Sequence, residues 1–554
     1  MAWPNAAAML RTPQPNDWHA AHSLSTQLPI HRASATAMSD WSYGYVSEID
    51  YTYGYYPELA PLRLRLAMLS KQQASPQGSR QGRPLRYLEL GFGQGLSLNF
   101  HAAAGEGEFW GVDFNPTHTA NARVLADASG ADLRLTDDDF AEFARRDDLP
   151  EFDVITLHGI WSWISEENRQ GLADFFRRKL AVGGVVYLSY NCTPGWSAAM
   201  PLRHLLTLHA DLASNDAQGL LPKVEAALGF AQQVVDSGAK YFAANPGLAE
   251  RLKQISGQNR RYLAHEYFNN AWLPMPFSDI ARQLGGAKLS FAASANLLDH
   301  IDSINLTTAQ QTLMASLKNP VLTESLRDYI VNQQFRRDIW VKGPRPLAPR
   351  QQLELLSAQR FVLCVAPQDV PLKVVGALGE AALAPEVYQP VIEQLAADGG
   401  MGKPAAEIIA ALPQLGQARV LQALLVLTAG GHASPAADEP AAERQRTRTD
   451  ALNRHLVAKA GYDGDIAWLA SPVTGAGLSV DRFQQLFIAA IQSGRTAPHE
   501  WADHAWSALA AQGECLIKDG ATLTRPEDNI AELRRRAMQF AEQRLGTLRV
   551  LGVV

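Results

Sequence analysis

A short apolar run that stops at three alternate glycines constrains this chain most. Leu85 to Gly95 reads L-R-Y-L-E-L-G-F-G-Q-G. Strand-forming residues lead to Glu89, and Gly91, Gly93 and Gly95 follow at every second position. Beyond them Leu96, Leu98 and Phe100 begin an apolar pattern suited to a packed helix. A strand, a glycine turn and a helix N-terminus form the ligand-binding crevice of an open α/β sheet. Glycine is needed where the backbone turns tightly and where a ligand lies against it with no Cβ in the way.

Two ligand classes compete for such a turn. A dinucleotide fingerprint requires G-x-G-x-x-G/A. Counting from Gly91 its last position falls on Leu96, and counting from Gly93 it falls on Leu98, so both fits fail. The E-x-G-x-G-x-G spacing of Glu89, Gly91, Gly93 and Gly95 instead resembles motif I of class I S-adenosylmethionine-dependent methyltransferases. The resemblance implies S-adenosylmethionine as cofactor. A second strand, Phe109 to Phe114, carries Asp113, a carboxylate placed to accept hydrogen bonds from both ribose hydroxyls. Nicotinamide sites use an acid there too, so Asp113 alone does not discriminate. The resemblance further implies that, after the third strand, Asp137 or Asp138 takes the adenine amine and Phe140 lies beside the ring. Tyr53 and His158 are expected to complete the cofactor contacts. A fourth strand, Phe152 to Leu157, runs into His158, and a fifth, Gly184 to Tyr190, runs into Asn191. Strand and helix alternate in units of roughly thirty residues, which predicts a mostly parallel sheet.

Tyr43 to Pro61 reads Y-G-Y-V-S-E-I-D-Y-T-Y-G-Y-Y-P-E-L-A-P. With His158 to Trp163, Ser189 to Trp196, Tyr262 to Tyr267, Phe277 to Asp279 and Ser471 to Gly475, it resembles a bacterial methyltransferase family that carries a methyltransferase regulatory domain. The resemblance covers most of Met38 to Val554. The best-known members methylate lysines of bacterial outer-membrane proteins, so it implies a protein substrate of that kind. Where those enzymes more often have Asn-Thr-Leu-Pro-Gly-Trp, this chain has Asn191-Cys192-Thr193-Pro194-Gly195-Trp196.

Methyl transfer from a sulfonium is an in-line displacement, so donor and acceptor must be held close, aligned and dry. A lysine acceptor, whose amine ordinarily titrates at about 10.4, must also lose its proton. Apolar and aromatic walls disfavour the ammonium and offer ring faces to the sulfonium. Tyr51, Tyr53, Trp161, Tyr190 and Trp196 are candidates for such walls. His158 is a candidate base or orienting group, and Tyr190 and Asn191 are candidates to hydrogen-bond the amine. Trp161 and Trp163 alternate, so at most one of them is expected to face the pocket.

A chain of 554 residues is expected to hold about three or four domains. No run approaches the roughly eighteen apolar residues of a membrane span. The net charge of −6 gives no general attraction to nucleic acid. Cys192, Cys364 and Cys515 are far apart and lack ligand spacing, which argues against a disulfide scaffold or zinc site and suits a reducing cytoplasm. His265-Glu266 fails the H-E-x-x-H pattern because Asn269 stands where the second histidine belongs, so no metal is expected.

Residues 1–37 lack sustained periodicity and predict a disordered extension, or a true start at Met38. Residues 38–200 predict the cofactor-binding domain. Leu205, Leu208, Leu212, Leu220, Val224 and Leu228 recur at helical spacing and place a mainly helical regulatory domain over 201–345. Residues 346–435 read as helical and winged-helix-like; the helix 418–427 carries only Arg419, which suits packing rather than DNA reading. Residues 436–450 read as a linker with a solvated Arg444, Arg446, Arg448 cluster, and 451–554 as a mainly helical C-terminal domain. The expected fold is thus an α/β, Rossmann-like class I methyltransferase sheet with large mainly helical C-terminal domains. The expected activity is N-methylation of protein lysines. A small-molecule methyltransferase and a catalytically silent cofactor-binding regulator are the alternatives.

Overall fold

Alternation along five strands sorts the catalytic half into two faces. The computed structural model describes residues 52–76, 83–213, 219–269 and 271–554; the expectations for 1–37, Met38 and Tyr51 lie outside them. The strands are β1 (Arg86–Leu90), β2 (Glu108–Val112), β3 (Leu133–Thr136), β4 (Phe152–Leu157) and β5 (Leu180–Asn191). The helices among them are α1 (Pro61–Ser70), α2 (Leu96–Ala104), α3 (Pro116–Ser129), α4 (Phe140–Arg145) and α5 (Glu166–Lys179). Tyr87, Phe109, Val154, Val185 and Tyr187 point to one side and meet Leu66 and Met68 of α1, Leu98 of α2 and Ala122 of α3. Leu88, Trp110, Ile155, Val186 and Leu188 point to the other and meet Phe143 of α4 and Phe175 and Phe176 of α5.

The sheet does not end at β5. Two strands from far downstream, β6 (Leu289–Ser294) and β7 (Phe335–Lys342), complete it in the order β3-β2-β1-β4-β5-β7-β6. The first five strands run parallel. β7 lies antiparallel to both β5 and β6, from Val185 opposite Val341 to Asn191 opposite Phe335. The range 201–345, expected as mainly helical, therefore also supplies two strands of the catalytic sheet.

Between β5 and β6 lie α6 (Met200–Leu212), α7 (Leu220–Asp236), α8 (Lys240–Ala244), α9 (Gly247–Ser256), α10 (Arg260–Tyr267) and α11 (Phe277–Gly286). α6 to α10 build a small core of their own from Leu202, Leu206, Val224, Leu228, Leu252 and Leu263. The spacing of Leu205, Leu208 and Leu212 marks a helix but not its buried face: Leu202 and Leu206 are buried, whereas Leu208 and Leu212 are exposed. Both sets fit helical spacing, and packing against α7 decides between them.

Residues 436–450 are a second correction. They are not a free linker: Ala433–Ala436 is a strand, and Glu439–Ala460 is one helix. Of the signals read as a loop, Ser434-Pro435 lies within the strand, and Asp438-Glu439-Pro440 is a helix start. The Asp438 side chain accepts the Ala441 N–H at 2.8 Å, and Pro440 occupies the first turn. Leu452 and Leu456 of this helix share a core with Phe100 of α2 and Leu125 of α3. In 346–435, helices Ala405–Ala411 and Gln417–Ala429 adjoin a three-stranded sheet formed by Lys403–Pro404, Arg360–Leu363 and Ala433–Ala436. Val420, Ala423, Leu424 and Leu427 are buried there, and Arg419 is exposed. Among the described residues no helix is long and apolar enough to cross a membrane.

Candidate active site

The glycine turn sits at the C-terminal end of β1, and its backbone explains its composition. Gly91, Gly93 and Gly95 have φ of +71°, +56° and +73°, a region costly for residues with a Cβ. Space is a second constraint at two of them. A Cβ on Gly91 would lie 2.5 Å from Cδ1 of Ile160, and one on Gly95 would lie 2.5 Å from Cβ of Ala122. Gly95 caps α2, and Asn99 Nδ2 donates to its carbonyl at 2.9 Å and to that of Ala122 at 3.1 Å.

Asp113 follows β2 and braces the turn. Its Oδ2 accepts the Gly93 N–H at 2.8 Å, and its Oδ1 accepts the Asn115 N–H at 3.1 Å and meets His118 Nδ1 at 3.1 Å. A carboxylate has about four acceptor sites, so Oδ2 keeps capacity for a ligand hydroxyl. Glu89 is buried, and its Oε2 has no hydrogen-bond partner among the described residues. Burial, with Asp113 nearby, pushes its pKa up to about 8. The native state thus holds this proton more tightly than the unfolded chain does. Stability contributed by Glu89 is greatest at low pH and falls as pH rises from about 4.5 toward about 8. Glu89→Gln should flatten that slope in denaturant titrations across this range; an unchanged slope would reject the assignment.

Beyond β3 the three aspartates separate. Asp139 caps α4 by accepting the Glu142 N–H at 2.7 Å. Asp138 is taken up by Thr136 Oγ1 at 3.0 Å and Arg146 Nη1 at 3.1 Å. Asp137 is exposed, with no hydrogen-bond partner among the described residues, which makes it the more available of the two expected adenine contacts. Phe140 comes within 3.8 Å of the Cβ position of Gly91, so ring and turn adjoin.

His158 follows β4 and is enclosed by rings. It stacks on Tyr56 with centroids 3.7 Å apart, and its Nδ1 lies 2.9 Å from the Tyr187 hydroxyl. Burial pushes its pKa down to about 4, against the opposing pull of Glu58. The imidazole is therefore neutral at ordinary pH. Glu58 is itself held by Arg337 of β7 at 2.7 Å. Ser189 Oγ accepts the Gly159 N–H at 2.7 Å and fixes the loop after His158.

Three expected site residues lie elsewhere. Trp161 is fully buried and stacks on Phe176 with centroids 6.3 Å apart. Tyr190 is buried on the face opposite Tyr187, and its hydroxyl donates to Asp338 Oδ2 at 2.8 Å. Tyr53 packs toward the C-terminal domain, with Lys459 Nζ 5.6 Å from its ring centroid. Asn191 and Trp196 do come together: the indole N–H donates to Asn191 Oδ1 at 3.1 Å. Trp196 also meets Trp272 edge-on at 5.0 Å and lies under the Arg251 guanidinium. They lie at the junction between β5 and the helical cover. Gly195 permits this path, because a Cβ there would lie 2.3 Å from the Gln333 carbonyl oxygen. Tyr56, Glu58, Tyr187 and Arg337 belong to the site without having been expected there. Alternation from Tyr187 through Ser189 was the available signal for Tyr187; nothing local marked Arg337.

The residues present fit S-adenosylmethionine. A turn of three glycines at positive φ, a buried carboxyl oxygen with no partner among the described residues and an acid after β2 are the backbone and acceptor set such a nucleoside sulfonium needs. Comparisons with known proteins agree. Residues 88–184 match the methyltransferase domain family, and residues 259–342 match the predicted methyltransferase regulatory domain. An uncharacterized Synechocystis protein, sll1526, is 39% identical over 515 residues, spanning 93% of this chain and 99% of the relative. The uncharacterized RP028 of Rickettsia prowazekii is 26% identical over 33% of this chain and 72% of its own length. In fold, the chain is similar to PKMT2 from Rickettsia typhi, solved in complex with AdoHcy, with TM-score 0.66 and 16% identity over 90% of this chain and 99% of that one. The chain belongs to the S-adenosylmethionine-dependent methyltransferases that carry the methyltransferase regulatory domain, the family it shares with the Synechocystis protein.

Proposed function

We propose that this methyltransferase modifies lysine side chains of a protein. The observation that carries the reading is the ring-lined end of β4, where neutral His158 lies between Tyr56 and Tyr187. When bound at the glycine turn, S-adenosylmethionine supplies an electrophilic methyl group. The chain must present an amine whose lone pair is free. Aromatic walls favour the neutral amine over the ammonium by excluding water. A histidine whose pKa is pushed down to about 4 is a weak proton acceptor, so His158 serves to orient the amine by accepting its N–H rather than to store its proton. The helical cover above Trp196 and Trp272 offers the broad surface that a macromolecular substrate requires and a small metabolite does not. The sequence resemblance to outer-membrane-protein lysine methyltransferases makes outer-membrane proteins the first substrates to test.

The test is transfer of radiolabelled methyl groups into lysate and into an outer-membrane protein fraction. Base-stable label should appear in a protein band. Misplacing a reacting group by about 1 Å costs about 10²-fold, so His158→Gln should lower kcat by about that factor. Label confined to small molecules would overturn the lysine reading, and calorimetric cofactor binding without any transfer would point to a silent regulator.

A further inference from the structure

We propose that the cavity between the outer edge of the sheet and the helix Pro320–Val331 binds a small molecule bearing a protonated amine. The cavity encloses about 300 Å³, within the lower range of small-ligand sites. It lies away from the glycine turn. Its walls come from β6, β7 and the helix Pro320–Val331, all inside the regulatory-domain match, with the strand Lys373–Gly376 at one side.

Charge decides the ligand class. Arg336 is buried and is the hub of the wall. It donates to Asp338 at 3.0 Å, to Asp328 Oδ1 at 2.6 Å and to Glu324 at 2.9 Å. One guanidinium thus faces three carboxylates. The other two arginines of the wall are already matched: Arg327 pairs with Asp302 at 2.6 Å and Arg337 with Glu58 at 2.7 Å. Asp299, also in the wall, spends its oxygens on Ser294 and Asn296. Lys71 lies at the exposed margin. Asp328 is 2% exposed, and its Oδ2 has no hydrogen-bond partner among the described residues. A buried carboxylate oxygen left unmatched is costly, and a cationic donor relieves both that and the surplus negative charge. Burial, more than the neighbouring carboxylates, pushes Asp328 up to about 7 and raises Asp338 and Asp299. Among the described residues no three His, Cys, Asp or Glu side chains converge to hold a metal ion, which favours an ammonium with its own directed N–H groups.

The test is calorimetry of the full chain with putrescine, using succinate as the charge-reversed probe of equal carbon length. Putrescine should bind and succinate should not. Asp328→Asn should weaken putrescine by about tenfold or more, the loss expected for one hydrogen bond to a charged group. Val375→Trp provides a second variant if Asp328→Asn folds poorly. Val375 lines the cavity and is 65% exposed, so an indole there should obstruct entry without touching the Arg336 network. No putrescine binding at millimolar concentration, wild-type affinity in both variants, or succinate binding as tightly would each overturn the proposal.

Discussion

Asp113→Ala should weaken S-adenosylmethionine binding by about a hundredfold or more. The carboxylate holds the Gly93 N–H at 2.8 Å and the Asn115 N–H at 3.1 Å, so it shapes the turn as well as leaving Oδ2 capacity for a ligand hydroxyl. Each hydrogen bond to a charged group contributes ~1.5–3 kcal/mol. Losing one to the cofactor while loosening the turn gives roughly 3 kcal/mol, or about two orders of magnitude. His118, left without its partner at 3.1 Å, adds to the disorder. Calorimetric titration measures the effect, with a thermal melt to verify folding. Asp113→Asn keeps one acceptor oxygen and should fall between wild type and alanine. A folded alanine variant that binds within about threefold of wild type would contradict the role given to Asp113.

Arg336→Met should cost about 3–5 kcal/mol of stability, the usual result of removing one member of a buried ion network. Methionine is a flexible apolar replacement, but it leaves Asp338, Asp328 and Glu324 without their common cation. The pH dependence follows from the raised Asp328 pKa, already about 7. A carboxyl whose folded pKa exceeds its unfolded value contributes stability at low pH and loses it as pH rises through the folded pKa. Removal of Arg336 raises these pKa values further, so the defect should shrink toward about pH 5 and be largest near about pH 8. Urea titrations at both ends of that range measure it. Asp328→Asn in the Arg336→Met background should recover part of the loss. A variant as stable as wild type at the alkaline end would contradict the network as described.

The glycine turn, Asp113 and the five parallel strands were legible because each has a local cause. Positive φ demands glycine, alternation marks a strand, and an acid after β2 has few other uses. The placement of Trp161 and Tyr190 was not legible. Both follow strand ends or lie on one, as a site residue would, yet one step along a strand exchanges the crevice for the core. Tyr190 therefore turned to Asp338, while Tyr187 on the same strand met His158. Among the N-terminal tyrosines, composition gave no reason to prefer Tyr56 to Tyr53; only packing against His158 on one side and Lys459 on the other separates them. The strands β6 and β7 were hidden because β5, which β7 joins and through which β6 enters the sheet, is remote in sequence. The helix Glu439–Ala460 was hidden because helix-start residues are also loop residues.

The pairing of β7 with β5 bears on how the chain is made. β5 ends at Asn191 and its outer partner begins at Phe335. At ribosomal rates of about 5–20 residues per second, that interval lasts roughly 7–30 s. During it the growing chain carries a bare strand edge, and α6 to α10 emerge as a long insertion before the edge can be covered. A polypeptide halted before Phe335 would keep that edge open to pairing with other chains. Truncated forms ending after β5 would therefore be expected to aggregate, and holding the nascent chain apart until β7 arrives becomes a task for chaperones.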